Sequence, residues 1–425
     1  MVIQRAKGTQ DLLPGAIEKW HYFEEMIRSV CQEYGYSEIR TPIFEATELF
    51  QRGVGETTDI VNKEMYTFLD KGERSMTLRP EGTASVCRAY VEDKLYAGNL
   101  PLKLYYLGPM FRYERPQTGR FRQFHQFGVE VLGADKPVVD AEVISLVWDL
   151  YRRLGLTGLE VHVNSVGCPG CRTQHSQKLQ AFLAVRRDQL CGDCQARFER
   201  NPMRILDCKN PNCQELTEGA PTTLDLLCED CSAHFNQLKE LLKAAGVVFK
   251  INPRLVRGLD YYRKTAFEVV VEELGAQSAI CGGGRYDGLI QEIGGPPTPG
   301  IGFAMGMERV LAALEVQKKL PESGEAGFAM LIALGEEAQR VGFALVSKLR
   351  QDKIPVSIDL LSRSLKAQLK AADRLGVRYA LLLGEEELSK QILVVRDLKL
   401  GEQFEISLPE AQITLSHNYR EGVTQ

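Results

Sequence analysis

The chain has 425 residues, 44% of them hydrophobic and 25% charged, with a formal net charge of -4. That length exceeds what one compact core holds, so two or three domains are expected, and the composition excludes a globally disordered chain. The small net charge argues against non-specific coating of nucleic acid, while leaving room for a local basic surface aimed at one polyanion.

The first residues, MVIQRAKGTQDLLPG, hold no apolar leader core, and no later stretch reaches the roughly 18 uninterrupted apolar residues of a membrane span, so a cytoplasmic protein is expected. In that reducing compartment the 11 cysteines point to thiols or metal ligands before disulfides. Trp20, Phe23, Ile27, Val30 and Tyr34 recur at helical spacing through EKWHYFEEMIRSVCQEYG, which predicts a helix closed by Gly35. YSEIRTPIF predicts a strand carrying Pro42. Proline cannot donate a ladder hydrogen bond, so this strand belongs at an edge or bulge where another subunit meets the sheet, or else simply ends there.

From Met65 to Val131 short β-like runs alternate with turn residues and predict a largely antiparallel sheet. Between about Cys168 and Gly246 the texture changes to polar helical segments punctuated by cysteine pairs, as expected of an inserted module. Strand signals resume in TAFEVVVEE and GGGRYDGL. QKKLPESGEAG reads as a linker. Beyond it AMLIAL, EEAQRVGFALVSKLRQ, PVSID, SLKAQLKAADRLG and YALLLG alternate strand and helix, predicting a small parallel α/β domain.

The chemistry concentrates in LGPMFRYERPQTGRFRQFHQFGVE, where Arg112, Arg115, Arg120 and Arg122 crowd one segment of an otherwise slightly acidic chain. Read as MFRYE and FHQFGVE strands joined by a loop, alternation puts Arg112 and Glu114 on one face. The same face takes Phe124, Gln126, Gly128 and Glu130, while Phe111, Tyr113 and Phe127 pack behind. Arginine forks grip phosphate, a ring stacks on a base and a glycine gap admits substrate. The competing reading is a solvated hairpin with cross-strand ion pairs. By the same alternation His125 turns behind the sheet, towards packing rather than catalysis.

TLRPEGT places Glu81 and Thr83 in a turn able to offer a carboxylate to an ammonium group, and LVRGLDYY sets Arg257 before a glycine and two tyrosines. Gly282, Gly283 and Gly284 let backbone approach a ligand. In PGIGFAMGMERVLAAL the first turn of a helix carries Arg309, a cation that the helix dipole does not call for and that therefore points to an anionic ligand. No GxxxxGK[ST] or GxGxxG occurs, so a nucleotide would be held by arginines on a sheet.

Together these segments resemble the class II aminoacyl-tRNA synthetases, and within them the histidyl-tRNA synthetases. YSEIRTPIFE, FRYERPQTGRFRQFHQFGVE and GIGFAMGMERV are similar to the three class motifs, and LVRGLDYY and GGGRYDGL to the two histidine signatures. The resemblance implies an α+β fold built on an antiparallel sheet with flanking helices, a Cys-rich mainly helical insertion and a C-terminal α/β anticodon-binding domain. It divides the chain into catalytic residues 1–166 and 251–320, an insertion at 167–250 and an anticodon-binding domain at 326–425.

It further implies that a homodimer activates L-histidine with ATP and Mg to histidyl-adenylate and transfers it to the 3′ end of tRNA(His). Arg112 and Arg257 would face the α-phosphate, Arg309 the γ-phosphate, and Glu114 and Phe124 the adenine. Glu81, Thr83 and Gln126 would hold the α-ammonium group, and Arg257 the carboxylate as well. Glu130 and Tyr262 would read the imidazole beside Tyr261, while Arg115, Gln117 and Arg120 would meet the tRNA acceptor end. Arg363, Lys366, Lys370 and Arg374, a basic stripe at helical spacing, read either as a solvated face or as a tRNA contact.

Cys168/Cys171, Cys191/Cys194 and Cys228/Cys231 are CxxC pairs and Cys208/Cys213 a wider one, enough for two four-sulfur structural zinc sites. Free thiols, an iron–sulfur cluster and redox disulfides are the alternatives, and the resemblance itself calls for no zinc. Spacing leaves the pairing open. Cys31, Cys87 and Cys281 read as buried thiols. Two rival functions remain: a non-catalytic histidine-sensing regulatory relative, which would be free to lose the arginines and the C-terminal domain, and a zinc-dependent nucleic-acid-binding module, which leaves the sheet arginines unexplained.

Overall fold

A computed structural model describes residues 2–55, 58, 60–116, 119–257, 261–271, 279–321 and 327–423. The chain forms two compact units, Met1–Pro321 and Glu322–Gln425. No helix among the described residues is long and apolar enough to cross a membrane.

Among the described residues sixteen strands follow in chain order. In the first unit they are β1 (Ser37–Glu38), β2 (Phe44–Ala46), β3 (Tyr66–Leu69), β4 (Ser75–Leu78), β5 (Leu102–Phe111), β6 (Gln123–Leu132), β7 (Leu159–Ser165), β8 (Phe249–Ile251), β9 (Arg263–Val271), β10 (Ala279–Arg285) and β11 (Gly300–Gly306). In the second they are β12 (Ala329–Ala333), β13 (Val356–Ile358), β14 (Tyr379–Leu383), β15 (Ile392–Asp397) and β16 (Gln403–Ser407). The large sheet runs β1-β5-β6-β11-β10-β9-β7-β8, antiparallel except for its outermost pairs β1·β5 and β7·β8.

The two faces of that sheet are built from different residues, and this contrast makes the site. On one face Phe127, Val129, Ile301, Phe303, Met305, Phe267 and Val269 form an apolar layer. It is covered by the helices Ile17–Glu33, Pro137–Arg153, Glu229–Ala244 and Met307–Val316. The first of these buries Trp20, Phe23, Ile27 and Val30 and ends at Gly35 in the left-handed region, as its periodicity predicts. On the other face, register sets Gln126, Gly128 and Glu130 of β6 beside Gly306, Ala304 and Gly302 of β11, with Gly282 and Gly284 of β10 next in line. Small residues there leave a floor on which a ligand can lie.

Two expectations are corrected. YSEIRTPIF is not one strand: the chain is extended only at Ser37–Glu38 and again at Phe44–Ala46, and Pro42 falls between them. The buried Arg79 takes the place of a ladder there, with its Nη1 donating to the carbonyls of Thr41 (2.9 Å) and Pro42 (3.4 Å). The expected MFRYE strand ends at Phe111. Tyr113 does not pack behind the sheet but is 54% exposed, edge-on to Tyr66, with the Arg122 guanidinium 3.8 Å over its ring.

The insertion between β7 and β8 is helical, with Pro169–Leu183, Gly192–Arg200, Pro211–Leu216 and Glu229–Ala244 joined by short 3-10 turns. Met203, Ile205 and Leu206 share a hydrophobic cluster with Val256, Tyr261 and Tyr262, so the module packs onto the loop that precedes β9. A fully buried ion pair, Arg285–Asp140, lies nearby; Asp140 also accepts from Thr265 (2.5 Å) and meets His234 Nε2 at 2.8 Å. Removing one partner strands a buried charge. Asp140→Asn should therefore lower unfolding stability by about 3–5 kcal/mol in urea, whereas an unchanged midpoint would mean that the network relaxes without it.

In the second unit the helices Glu336–Gln351 and Leu365–Leu375 alternate with the parallel set β13-β12-β14, as expected. The sheet is mixed rather than parallel, because β15 and β16 add antiparallel to β14. Lys366, Lys370 and Arg374 are exposed on Leu365–Leu375; Arg363 lies before that helix and pairs with Asp359, which takes it out of the stripe.

Candidate active site

Above the glycine floor lies a hollow of about 350 Å³ whose two ends differ in chemistry. The acidic end is set by the turn Pro80–Gly82 leading into the helix Thr83–Glu92. Glu81, 3% exposed, accepts from the backbone N–H groups of Thr83 and Ala84, both at 2.8 Å, and so caps that helix. Thr83 Oγ1 donates to Glu130 Oε1 at 2.7 Å, and Tyr286 OH donates to Oε2 at 2.5 Å. Burial pushes the Glu130 carboxyl up to about 8 against those two donors, and burial likewise raises Glu81.

Gln126 reaches into the hollow with a buried Oε1 that has no hydrogen-bond partner among the described residues. A buried unpaired acceptor costs about 1–3 kcal/mol, which a bound donor would recover. Tyr261 and Tyr262 stand together with ring centroids 4.7 Å apart, and Tyr261 meets Tyr286 edge-on at 5.8 Å. A Cβ at Gly302 would lie 1.9 Å from Glu130 Oε2, so only glycine leaves that carboxylate its place.

Arg257 stands between the two ends. Its guanidinium lies over Gly282, where a Cβ would come within 2.1 Å of Nη2, and it pairs with Glu268. Burial opposes its charge most, but the Glu268 carboxylate together with Tyr262 and Cys281 outweighs it and the pKa rises. The basic end holds Arg112, Arg120 and Arg309. Arg112 Nε donates to the Pro80 carbonyl (2.8 Å) and its guanidinium lies 5.3 Å over the Phe124 ring. Burial and then the neighbouring Arg120 lower the pKa of Arg309, as expected where cations gather without their anion.

Most of the expected residues converge here: Glu81, Thr83, Arg112, Glu114, Phe124, Gln126, Arg257, Tyr261, Tyr262 and Arg309 line the hollow, and the Glu130 carboxylate lies directly over Gly302. Arg115 is exposed on the loop, and Gln117 lies outside the described residues. Arg120 is not confined to the loop. It lies 3.3 Å from Glu114 inside the hollow and also borders a second, wider recess of about 880 Å³ lined by Gln4–Thr9. Arg122 faces neither; its backbone N–H bonds the Gly8 carbonyl (2.7 Å) and its side chain stacks on Tyr113.

His125 packs edge-on against Trp20 and holds Glu308 through Nδ1 (3.0 Å) as well as its backbone N–H (2.9 Å), which agrees with a packing role. Glu308 supplies the anion that the N-terminus of its helix favours, leaving Arg309 to the hollow. Three lining residues with polar or charged side chains were not singled out from sequence: Glu268, Tyr286 and Glu308. Glu268 carried a signal, being the one charged residue in the AFEVVV run. Tyr286 and Glu308 sat inside segments already quoted, and nothing local distinguished them.

The cysteines sort into two sets, Cys168/Cys171/Cys228/Cys231 and Cys191/Cys194/Cys208/Cys213, each with its ligand atoms within 4.8 Å of one another. The second set is nested inside the first along the chain. Cys168–Cys171 and Cys191–Cys208 sulfurs lie 3.5 and 3.8 Å apart, close to the edge of a tetrahedron with metal–sulfur arms of about 2.3 Å. None of the 11 cysteines forms a disulfide. Cys31, Cys87 and Cys281 are buried, and Cys281 borders the hollow with its thiol pushed well up by burial.

Residues 8–310 match the family model described as histidyl-tRNA synthetase, and residues 329–416 that of the anticodon binding domain. The chain is 73% identical over 421 residues to a histidine–tRNA ligase of Desulfitobacterium hafniense (strain DSM 10664 / DCB-2), covering 99% of each chain. It is 57% identical over 410 residues to that of Desulforamulus reducens, covering 96% of this chain and 98% of the relative. The solved apo histidyl-tRNA synthetase of S. aureus superposes with a TM-score of 0.84 at 40% identity, covering 98% of this chain and 100% of the other.

Proposed function

Because the chain belongs to the histidyl-tRNA synthetase family and its activity is the ATP-dependent ligation of histidine to tRNA, we propose a division of labour within the hollow. One observation carries it: a buried acidic end and an arginine end share one floor, with Arg257 between them.

Glu81, Thr83 and the unpaired Gln126 Oε1 take the α-ammonium group. Glu130, held by Thr83 and Tyr286, and Tyr262 take the imidazole nitrogens, with Tyr261 closing the wall. A buried carboxylate and hydroxyls that an apolar amino acid would leave unpaired reject such competitors by several kcal/mol, on the order of 10⁴-fold or more. Arg257 orients the histidine carboxylate, which attacks the α-phosphorus of ATP as the bond to pyrophosphate breaks. Negative charge then accumulates at the pentacoordinate phosphorus, and Arg112 and Arg257 are already in place to stabilise it. Arg309 holds the γ-phosphate, and Phe124 and Glu114 the adenine.

Mg bound with ATP neutralises phosphate charge. Among the hollow's carboxylates Glu268 pairs with Arg257, Glu308 with His125 and Glu114 with Arg120, so a Mg ion brought in with ATP would be held largely through the nucleotide. Arg115, Gln117 and Arg120 would meet the tRNA acceptor end. We place the reaction in the cytoplasm.

Two further assignments belong to this reading. The exposed Ile43, Phe44, Phe68 and Leu69, clustered about the small sheet β2-β4-β3, are an apolar surface suited to a second copy, and support the homodimer. The two four-thiolate sets suit tetrahedral zinc, one ion each.

Histidine-dependent exchange of pyrophosphate into ATP, without tRNA and with other amino acids as controls, tests the first half-reaction directly. Exchange with histidine alone is expected; none from folded, magnesium-supplied protein would sink the assignment. Gly282→Ala offers a finer check. Its Cβ would displace the end of a flexible side chain rather than backbone, so the fold should persist while exchange falls at least about tenfold. Wild-type exchange in that variant would show that the position of Arg257 does not matter. The regulatory reading is set aside, because the match to ligases spans 99% of the chain and the arginines and C-terminal unit are present.

A further inference from the structure

The cysteine set at the root of the insertion adjoins the histidine end of the hollow. The chain leaves β7 at Ser165 and reaches Cys168 three residues later. In between, Val166 N–H donates to the Lys264 carbonyl (2.7 Å) and Lys264 N–H donates back to the Gly167 carbonyl (2.9 Å). Lys264 holds a left-handed φ of 49°, a conformation that costs about 1–3 kcal/mol and persists only where neighbours enforce it. Arg172, next after Cys171, donates from Nη1 to the Tyr262 carbonyl at 3.1 Å.

The other half of the set is tied to the same strand. Cys228 N–H donates to Cys171 Sγ at 3.2 Å. The helix Glu229–Ala244 that starts there sends His234 to Asp140 and Thr265, the latter directly after Lys264. Both helices thus converge by their N-termini on Cys171 and press from two sides on residues 262–265, the segment that carries Tyr262 into the hollow. Within the protein, the bonds that hold this segment from behind come largely from residues beside the metal ligands.

We propose that the Cys168/Cys171/Cys228/Cys231 centre is a positioning element for the histidine end of the hollow, acting through Arg172 and the backbone pair at Lys264, so that metal occupancy and histidine affinity are linked. This rests on the zinc reading above. A tetrahedral ion fixes the two helix N-termini relative to each other; without it they are joined only by the Cys228 N–H···Sγ bond and contacts among the thiols, and Tyr262 loses its backing. The ATP end, built on β6, β11 and the helix Met307–Val316, does not share this support, so the effect should be confined to histidine.

The test uses the full chain, with zinc measured by atomic emission, histidine binding by calorimetry, and both KM values from pyrophosphate exchange. Wild type is expected to hold two zinc ions. Cys231→Ser should lose one of them and weaken histidine binding roughly tenfold, while KM for ATP changes less than about threefold. Arg172→Ala should keep both ions and weaken histidine binding by a similar, roughly tenfold factor, with Arg172→Lys recovering much of it by restoring one donor to the carbonyl.

Wild type without metal would overturn the zinc reading and this inference together. Two ions in wild type, with Cys231→Ser or Arg172→Ala binding histidine normally, would overturn the linkage and leave the zinc reading standing. Equal rises in both KM values would reduce the centre to general stability. If Cys231→Ser does not fold, the Arg172 pair decides.

Discussion

Arg257→His should leave a folded protein whose histidine-dependent pyrophosphate exchange is lower by about 10²–10³-fold, the loss seen when one preorganised donor to a developing charge is removed. In the proposed reading Arg257 meets both the substrate carboxylate and the α-phosphate, and Gly282 leaves room for its guanidinium. The planar fork is what the site requires. Imidazole is shorter, is largely neutral at neutral pH, and leaves Glu268 facing the hollow without its partner. The loss should appear in kcat as well as in kcat/KM, since the interaction tightens in the transition state. Near-normal exchange, with an unfolding midpoint close to wild type, would remove Arg257 from the chemistry.

The second large effect concerns Glu130. Glu130→Gln keeps the shape but cannot accept from both Thr83 Oγ1 and Tyr286 OH while serving the imidazole, and kcat/KM for histidine should fall by roughly 10²-fold. KM for ATP should hardly move. Because burial raises this carboxyl to about 8, it keeps its proton up to neutral pH. Free imidazole ionises near 6.5, so in the proposed complex a protonated Glu130 would meet a neutral ring at neutral pH, with one proton shared between them.

Below about 6.5 the pair carries one proton too many, and above about 8 one too few. A bell-shaped profile of kcat/KM for histidine follows, and Glu130→Gln should lose its alkaline limb. A flat profile, or an alkaline limb that survives the substitution, would assign that limb elsewhere. Stability carries the same sign. A carboxyl raised in the folded state contributes most below its ordinary value of 4.5 and loses that contribution as pH rises through about 8.

Much of this site could be read from sequence because its residues announce themselves within short segments. Gln126 and Glu130 follow from alternation along FHQFGVE, and Arg309 from a cation where a helix dipole favours an anion. Alternation failed where the strand stopped. Beyond Phe111 the backbone follows the loop, and Tyr113 faces solvent under Arg122 while Arg112 and Glu114 still reach the hollow. Arg122 looked like its neighbours and proved to be a strut for the N-terminal segment, a role fixed by Gly8, far away in the sequence.

The sequence by itself determined the local features: the helices Ile17–Glu33 and Glu336–Gln351, the alternating elements of the C-terminal unit, the arginine-rich hairpin and eight cysteines in a ligand-like spacing. Periodicity and turn chemistry act over a few residues and survive in any context. The tertiary structure decided everything that depends on which distant segments meet. It nested one cysteine set inside the other, joined Asp140 to Arg285, set Tyr286 behind Glu130 and Glu268 beside Arg257, and placed the insertion against Tyr262. These contacts are fixed by how apolar faces pack and by where buried charges find partners, and neither is written in the spacing of any one segment.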